Sequence, residues 1–401
     1  MTSEWPAHEH ETRPWRQTVR AGTRADRMLS EVVVALPPLI AECSWEPPPA
    51  SRPALDDARH AVIALDAEYG SRLRVLGRLL LRTEAVSSSK IEDEEASLED
   101  CARATVGIRA NSSATSMVAA ADAMTGMVDA AGRTGLIDEA AILTAHRVLM
   151  ADDPVDARSA GAYRPMQNWI GGSDHSPRGA VHVPPPPETV PALMADLIRF
   201  SNRSDLDPIV QAAIAHAQFE SIHPFTDGNG RIGRALITAI LRRRGLTRTT
   251  VVPVASALVA DRERYFELVN DCRDGALAPF VDELARACAV AAPESARTAA
   301  VLESLPAAWR AAVRPRAGSA AALLLDGLLD HPIVTTARAI ALTGRAPSSV
   351  GAAIGQLVAV GVLTPLTDRK RDQAWVAVDV LDELADLEDR IGTAMLDAQS
   401  G

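Results

Sequence analysis

Lysine is almost missing from this chain: of 41 lysine and arginine side chains only Lys90 and Lys370 are lysine. Acidic residues outnumber basic ones, and the net charge of -11 speaks against a general nucleic-acid or anionic-membrane binder. Aromatic residues make up only 3%, so aliphatic and alanine side chains must fill the core. The four cysteines, Cys43, Cys101, Cys272 and Cys288, are scattered without a C-x-x-C pair or matching histidines. That spacing indicates neither a disulfide framework nor a zinc site. No apolar run reaches transmembrane length and no signal peptide is readable, so the expected place is the cytoplasm, with no membrane partner.

What remains is a chain of 401 residues, 47% hydrophobic and 23% charged, long enough for two or three domains with their own cores. Abundant alanine and leucine with few alternating stretches predict a mainly α protein.

The most informative stretch is His223-Pro224-Phe225-Thr226-Asp227-Gly228-Asn229-Gly230-Arg231-Ile232-Gly233-Arg234. Residues 208 to 221 carry apolar positions at helical spacing; Pro208 suits the first turn and Pro224 ends the pattern. His223 is therefore expected just past a buried helix. A second helix is predicted from about Asn229 to Arg243, with Ile232, Ala235, Leu236, Ala239 and Ile240 as its apolar stripe. Gly228, Asn229 and Gly230 then fall where helix-start N–H groups lack partners and attract anions, and glycine lets the backbone approach a phosphate. Arg231 and Arg234, three apart, can project toward one anion. Asp227 offers the oxygen ligand that Mg²⁺ prefers, and His223 can take a proton near neutral pH.

These twelve residues resemble the signature of the Fic (filamentation induced by cAMP) family, H-x-F-x-D/E-G-N-G-R-x-x-R, with every defined position met. The resemblance implies a protein adenylyltransferase that moves AMP from ATP to a Ser, Thr or Tyr hydroxyl of a target protein and releases pyrophosphate. His223 would deprotonate that hydroxyl, and Asp227 would hold Mg²⁺ or Mn²⁺ between the α- and β-phosphates. Gly228, Asn229 and Gly230 would form the anion hole, Arg231 would steady the transferring and leaving phosphates, and Arg234 would grip the γ-phosphate. Phe225 would anchor the loop. Gly230 fits AMP transfer, because kinase-like toxins of the Doc branch carry lysine there.

A second stretch, Ser88-Ser89-Lys90-Ile91-Glu92-Asp93, is similar to the family's inhibitory motif, S/T-x-x-x-E-G/N. In the family that glutamate pairs with the second motif arginine, here Arg234, and keeps the γ-phosphate from seating. Ser88 and Glu92 would be the inhibitory residues. Asp93 departs from the pattern, and Glu92-Asp93-Glu94-Glu95 can also be read as a solvated acidic face.

In chain order, Thr2 to Leu29 is expected to be a mobile arm or an extended segment on the core. The apolar run Val32 to Ile40 follows, then a proline-rich, non-helical connection from Glu46 to Pro53. From Ala54 to about Arg103 the pattern is helical with a break near Ser87 to Lys90, and two more helices are predicted around Ala114 to Ala131 and Asp138 to Met150. Trp169-Ile170-Gly171-Gly172 and Val181-His182-Val183 predict a β-hairpin. By resemblance it is the flap that registers the target's main chain. Trp169 would be a target anchor or a lid on the core, while His182 and Asp174 would touch the target or face water. Tyr265 would stack on the adenine or pack in the core; Gly161-Ala162-Tyr163-Arg164 and Arg273 receive no role.

A break at Ala292-Pro293-Glu294-Ser295 is taken as the end of the core, followed by a linking helix from Ala296 to Arg314. Residues 319 to 378 then resemble a winged helix-turn-helix, with a basic wing at Asp368-Arg369-Lys370-Arg371-Asp372. The recognition helix, Ser348 to Val360, holds no Lys or Arg, so protein docking or dimer formation is favoured over DNA.

The expected layout is an N-terminal arm and linker (1–53), a Fic-type helical core with a β-hairpin flap (54–292), a linking helix (293–318) and a small winged-helix-like domain with a C-terminal helix (319–401). The expected partners are a hydroxyl-bearing protein, the chain's own hydroxyls in self-modification, and a second copy in a homodimer. Removal of AMP by hydrolysis at the same site, and a DNA- or protein-binding regulator with a nucleotide-sensing core, are the alternative functions.

Overall fold

Alanine and leucine favour helix, and the computed structural model, which describes residues 5–17, 21–108, 111–153, 155–366 and 373–400, is mainly helical. In chain order its principal elements are β1 (Glu9–Pro14), α1 (Arg24–Arg27), β2 (Glu31–Leu36), α2 (Arg52–Tyr69), α3 (Arg74–Ile91), α4 (Leu98–Thr105), α5 (Ser112–Thr134) and α6 (Glu139–Met150). Then come α7 (Val190–Ser201), α8 (Pro208–Ile222), α9 (Asn229–Arg243), α10 (Val254–Leu258), α11 (Arg262–Arg273) and α12 (Ala278–Val313). The chain closes with α13 (Ala320–Leu328), β3 (Ile333–Thr335), α14 (Thr336–Thr343), α15 (Pro347–Ala359), β4 (Leu363–Pro365), β5 (Ala374–Ala377) and α16 (Val378–Ser400).

One compact unit draws on residues 1–59, 122–247 and 261–286. Its centre is α8, whose residues Ile209 to Ile222 are all buried because they are apolar, alanine or hydrogen-bonded polar groups around the whole circumference. Asp207 caps it by accepting from the Ile209 and Val210 N–H groups, and Pro208 occupies a first-turn position where its missing N–H costs nothing. Helix α9 packs on α8, and α6, α7 and α11 pack around the pair. Gly233 sets how closely α9 approaches: a Cβ there would stand 2.5 Å from Glu220 Oε1 and 3.0 Å from Phe219 Cδ1.

The N-terminal segment is more ordered than a mobile arm. β1 pairs antiparallel with β2, Glu9 opposite Leu36 and Pro14 opposite Glu31. Between them Thr23 and Asp26 form a reciprocal capping box on α1, and Asp26 also accepts from Ser176 Oγ at 2.8 Å and Arg178 Nε at 3.3 Å. These bonds hold the Asp26 carboxyl well below the usual range and tie the arm to the flap. The flap is shorter than a regular hairpin. Ile170 bridges His182 and Ser173 bridges Ser176, but Gly171, Gly172 and Gly179 adopt left-handed φ near 72–75° and interrupt the ladder. Its return segment is extended onto β2 by the Ala35 N–H, which donates to the Val183 carbonyl at 2.9 Å.

The second unit draws on residues 60–121, 248–260 and 287–401. Here α3 corrects the expected break at Ser87 to Lys90, since those residues lie inside a continuous helix. Ser87 bonds Ser256, Ser89 bonds back to the Ala85 carbonyl, and Lys90 meets Glu388 at 2.6 Å, so tertiary partners absorb polar groups that would otherwise compete with the helix. The proline-rich connection ends at α2, which already includes Pro53 in its first turn.

The boundary expected at 292–295 also falls inside a helix. α12 runs unbroken through Pro293 and Pro306. Burial of Ala291, Ala292, Ala299 and Leu302 outweighs the roughly 3 kcal/mol that an interior proline costs. After it, β3, β5 and β4 form an antiparallel sheet in that order. Ile333, Leu366, Ala374 and Val376 of this region share a core with Ala102 of α4, so residues 319–401 do not form a core apart from the earlier helices. The basic stretch 368–372 lies outside the described residues.

Asp66 on α2 ties distant sequence together in this unit. It accepts from the Thr249 N–H at 2.9 Å, the Thr250 N–H at 2.8 Å and Thr250 Oγ1 at 2.8 Å. Burial by itself would raise the carboxyl's pKa, but the bonds from Thr250 and Thr249 leave it lowered. A lowered folded value stabilises the fold above the unfolded pKa, and that contribution fades as pH falls through the folded one. Asp66→Asn is expected to cost about 1–3 kcal/mol in urea unfolding at pH 7. The gap to the parent should narrow below about pH 4.

Candidate active site

Two buried helices must reverse direction between Ile222 and Asn229, and the turn is built to do so without losing backbone hydrogen bonds. His223 closes α8 in the left-handed region at φ 47°, a strained conformation for a residue with a Cβ. Its N–H reaches the Phe219 carbonyl at 2.8 Å, and its own carbonyl accepts from Arg164 Nε at 2.9 Å. Arg164 is buried, and its guanidinium also donates to the carbonyls of Met166, Pro185 and Ile222, while its N–H donates to the Pro224 carbonyl. One arginine thus clamps the turn and the base of the flap.

Phe225 is fully buried, as the loop anchor was expected to be, and its ring stacks on His146 with centroids 3.7 Å apart and 7° between planes. His146 accepts the Gly161 N–H on Nδ1 and so donates from Nε2 to the Asp227 carbonyl at 3.2 Å. The Asn229 side chain takes the Phe225 N–H at 2.8 Å and returns a bond to the Phe225 carbonyl at 3.0 Å. It therefore staples the loop, and any part Asn229 plays in an anion hole belongs to its backbone. Gly228 begins α9 at φ 75° with no side-chain cap, so the first turn of α9 presents backbone donors.

The His223 ring is half-buried, and burial together with the guanidiniums of Arg164 and Arg273 holds its pKa well below the ordinary value. The imidazole is neutral at pH 7 and has a lone pair to give. Nδ1 lies 2.9 Å from Asn168 Nδ2. Asp227 carries an exposed carboxylate, 3.3 Å from Arg231 Nη2. No cluster of three or more His, Cys, Asp or Glu that could hold a metal occurs among the described residues. A single open carboxylate beside a helix N-terminus fits Mg²⁺, which keeps water and takes phosphate oxygens for most of its shell.

Arg231 is nearly buried and Arg234 wholly so. Arg234 donates from Nη1 to the Tyr265 hydroxyl at 3.3 Å, and the hydroxyl lies 2.8 Å from His216 Nε2. A guanidinium only donates, so the tyrosine oxygen accepts from Arg234 and its proton goes to His216, which burial keeps neutral with a pKa lowered to about 3. Tyr265 is thus a buried support for Arg234, with its ring 2% exposed and no free face for an adenine.

Other residues singled out in the sequence separate clearly. His182 is buried, with Nε2 on the Ser221 carbonyl at 2.9 Å, while Asp174 faces solvent. Trp169 packs edge-on to Trp15 at 5.7 Å and joins Val32, Val34 and Val183, which makes it a lid on that core. Arg273 donates to the Glu220 carbonyl at 3.4 Å. In the second unit Ser88 is buried within α3 and Glu92 is its exposed C-cap; Asp93 takes φ 61°, the left-handed conformation that the Gly or Asn of the inhibitory motif would serve. Arg164, Asn168 and His146 were not assigned from sequence, because they act on backbone atoms or a ring 55 to 81 positions away.

A helical core whose two central helices meet in a turn bearing an imidazole, a carboxylate and paired guanidiniums defines the class. Residues 136–241 match the family model described as Fic/DOC family. A probable protein adenylyltransferase of Aquifex aeolicus is 37% identical over 109 residues, 27% of this chain and 31% of that protein. Protein adenylyltransferase Fic of Nematostella vectensis is 37% identical over 143 residues, 35% of this chain and 29% of that protein. The match therefore spans under a third of either relative's length. The fold is shared with the crystal structure of a Fic family protein from Desulfovibrio desulfuricans, at 24% identity and a TM-score of 0.54, covering 83% of this chain and 98% of that one. The likeness to the Fic/DOC family thus lies in residues 136–241, and the shared fold extends beyond them.

Gly228 has no tolerance for a side chain: besides its positive φ, a Cβ would stand 2.8 Å from Leu149 Cδ2 and 3.2 Å from Met150 Sδ. Gly228→Ala is expected to cost about 1–3 kcal/mol in stability, read as a lowered thermal midpoint.

Proposed function

We propose that this chain is a protein adenylyltransferase, transferring AMP from ATP to a Ser, Thr or Tyr hydroxyl of a protein. The observation that carries the reading is the turn itself: a neutral His223 imidazole at the end of α8 and, at Asn229, the start of α9 with Asp227 and Arg231 beside it. The printed names of the Aquifex and Nematostella relatives support it.

The first turn of α9 would receive phosphate oxygens on its N–H groups, with the helix dipole and Arg231 offsetting their charge. Asp227 would hold Mg²⁺ or Mn²⁺, which supplies Lewis-acid neutralisation of the phosphates when bound. His223 takes the proton of the target hydroxyl as that oxygen bonds to the α-phosphorus and pyrophosphate departs. Arg234, the expected γ-phosphate ligand, is wholly buried, so a triphosphate cannot seat on it without a conformational change. That closure suits a restrained enzyme, and Ser88 on α3 and Glu92 at its C-cap are assigned to the restraint.

The order α13, β3, α14, α15, β4, β5 is read as a winged helix. Helix α15 holds no Lys or Arg, which favours a docking protein or a second copy of the chain over DNA.

Glu92→Gly should raise AMP incorporation from labelled ATP with Mg²⁺, and chelation of the metal should remove it. His223→Ala in that background should lower incorporation by at least about 10²-fold. Labelling that persists in the His223 variant would remove the proposed base. Mass spectrometry of labelled lysate identifies the donor from the mass increment and the target from the modified peptide.

A further inference from the structure

Asn168 stands just before the flap, half-buried, and its Nδ2 serves two partners in the turn. It donates to the Phe225 carbonyl at 3.0 Å and lies 2.9 Å from Nδ1 of His223. Its Oδ1 is buried and has no hydrogen-bond partner among the described residues. A carbonyl oxygen only accepts, so the group facing Phe225 must be the amide NH₂. Turning the amide over would set Oδ1 against the Phe225 oxygen, two acceptors at hydrogen-bond separation.

With the NH₂ in place, its second N–H points at His223 Nδ1, and a nitrogen receiving that bond carries no proton. A neutral imidazole has one proton, which therefore sits on Nε2. Nδ1 is occupied by Asn168, so Nε2 is the nitrogen left to meet a reacting oxygen. A base must offer a lone pair there, and Nε2–H offers none.

We propose that Asn168 is a positioning residue that holds His223 in its non-basic tautomer, and that its amide turns over before transfer. The proposal rests on reading the site as a nucleotidyl transferase. In the turned state the ring loses its Nε2 proton to solvent water and takes one from it on Nδ1; Oδ1, until then without a partner, accepts a hydrogen bond from that Nδ1–H, and Nε2 presents its lone pair. The target hydroxyl's proton then passes to Nε2 as its oxygen bonds to the α-phosphorus. The bond from that phosphorus to the bridging oxygen breaks, and pyrophosphate leaves with the electron pair. The turned state is the less stable one because Oδ1 then faces the Phe225 oxygen, but that carbonyl keeps a donor in Asn229 Nδ2, at 3.0 Å.

Histidine-selective ¹⁵N NMR of the wild-type protein, with the His223 signals identified by their loss in His223→Ala, reads which ring nitrogen holds the proton. Nε2–H is expected, and Nδ1–H in the resting protein overturns the proposal. Asn168→Asp replaces the donor with an acceptor, so the proton should move to Nδ1. In a Glu92→Gly background, kcat for AMP incorporation should then rise at least about tenfold with KM for ATP unchanged. A proton that stays on Nε2 in the Asp variant, or a kcat at or below the parent's, also overturns it. The wild-type spectrum requires no substitution, so it decides the tautomer even if the Asp variant fails to fold. If the Glu92→Gly protein incorporates no AMP, the transferase reading falls, while a proton found on Nε2 still supports Asn168 as the group that sets the tautomer.

Discussion

The clamp that Arg164 places on the α8–α9 turn is the interaction on which the site depends. Five backbone carbonyls from three separate stretches would otherwise be left with unfilled acceptor positions in a buried region, and one arginine takes four of them with the fixed fork of its guanidinium and the fifth with its backbone N–H. A buried cation is expensive, and burial pushes the Arg164 pKa down to about 10, yet it stays protonated at any physiological pH. The cost falls on a residue whose charge cannot be switched off, which makes the clamp permanent. His223 can then be held in the left-handed region while its ring reaches Asn168 rather than the clamp.

Around that clamp the loop is closed by contacts that leave the reactive groups outside. Phe225 is sandwiched into the core by His146, Asn229 staples the loop to itself, and the Asp227 carbonyl is held by His146 while its carboxylate points outward. Rigid backbone with an exposed carboxylate and a first turn of helix N–H groups is how a site is prepared to meet phosphate without reorganising. Arg234 takes the opposite arrangement. It is buried on a Tyr265–His216 relay, so its position is set by packing before any ligand arrives.

Much of the fold was readable because the signals were local. Pro208 and Asp207 mark the start of α8, Gly228 marks the start of α9, and the apolar spacing between them gives both helices. The misreadings have one cause. Ser87 to Lys90 looked like a break, and Pro293 looked like an end, because side-chain propensity was weighed without the partners that offset it. The N-terminal segment was left between a mobile arm and an extended segment on the core because the groups that hold it, Ser176 and Arg178 on Asp26, are about 150 residues away.

By itself the sequence determined the chemical inventory of the candidate site, since His223, Asp227, Gly228, Arg231 and Arg234 sit within twelve residues and their spacing needs no distant partner to be understood. Only the tertiary structure decided how those groups are set: that Tyr265 supports Arg234 rather than offering a ring to a base, and that Arg164 and Asn168 govern the backbone and the ring of His223. The physical reason is that side-chain type and helical period are carried by neighbours along the chain, whereas burial and hydrogen-bond direction are properties of groups that meet only after the chain has closed on itself.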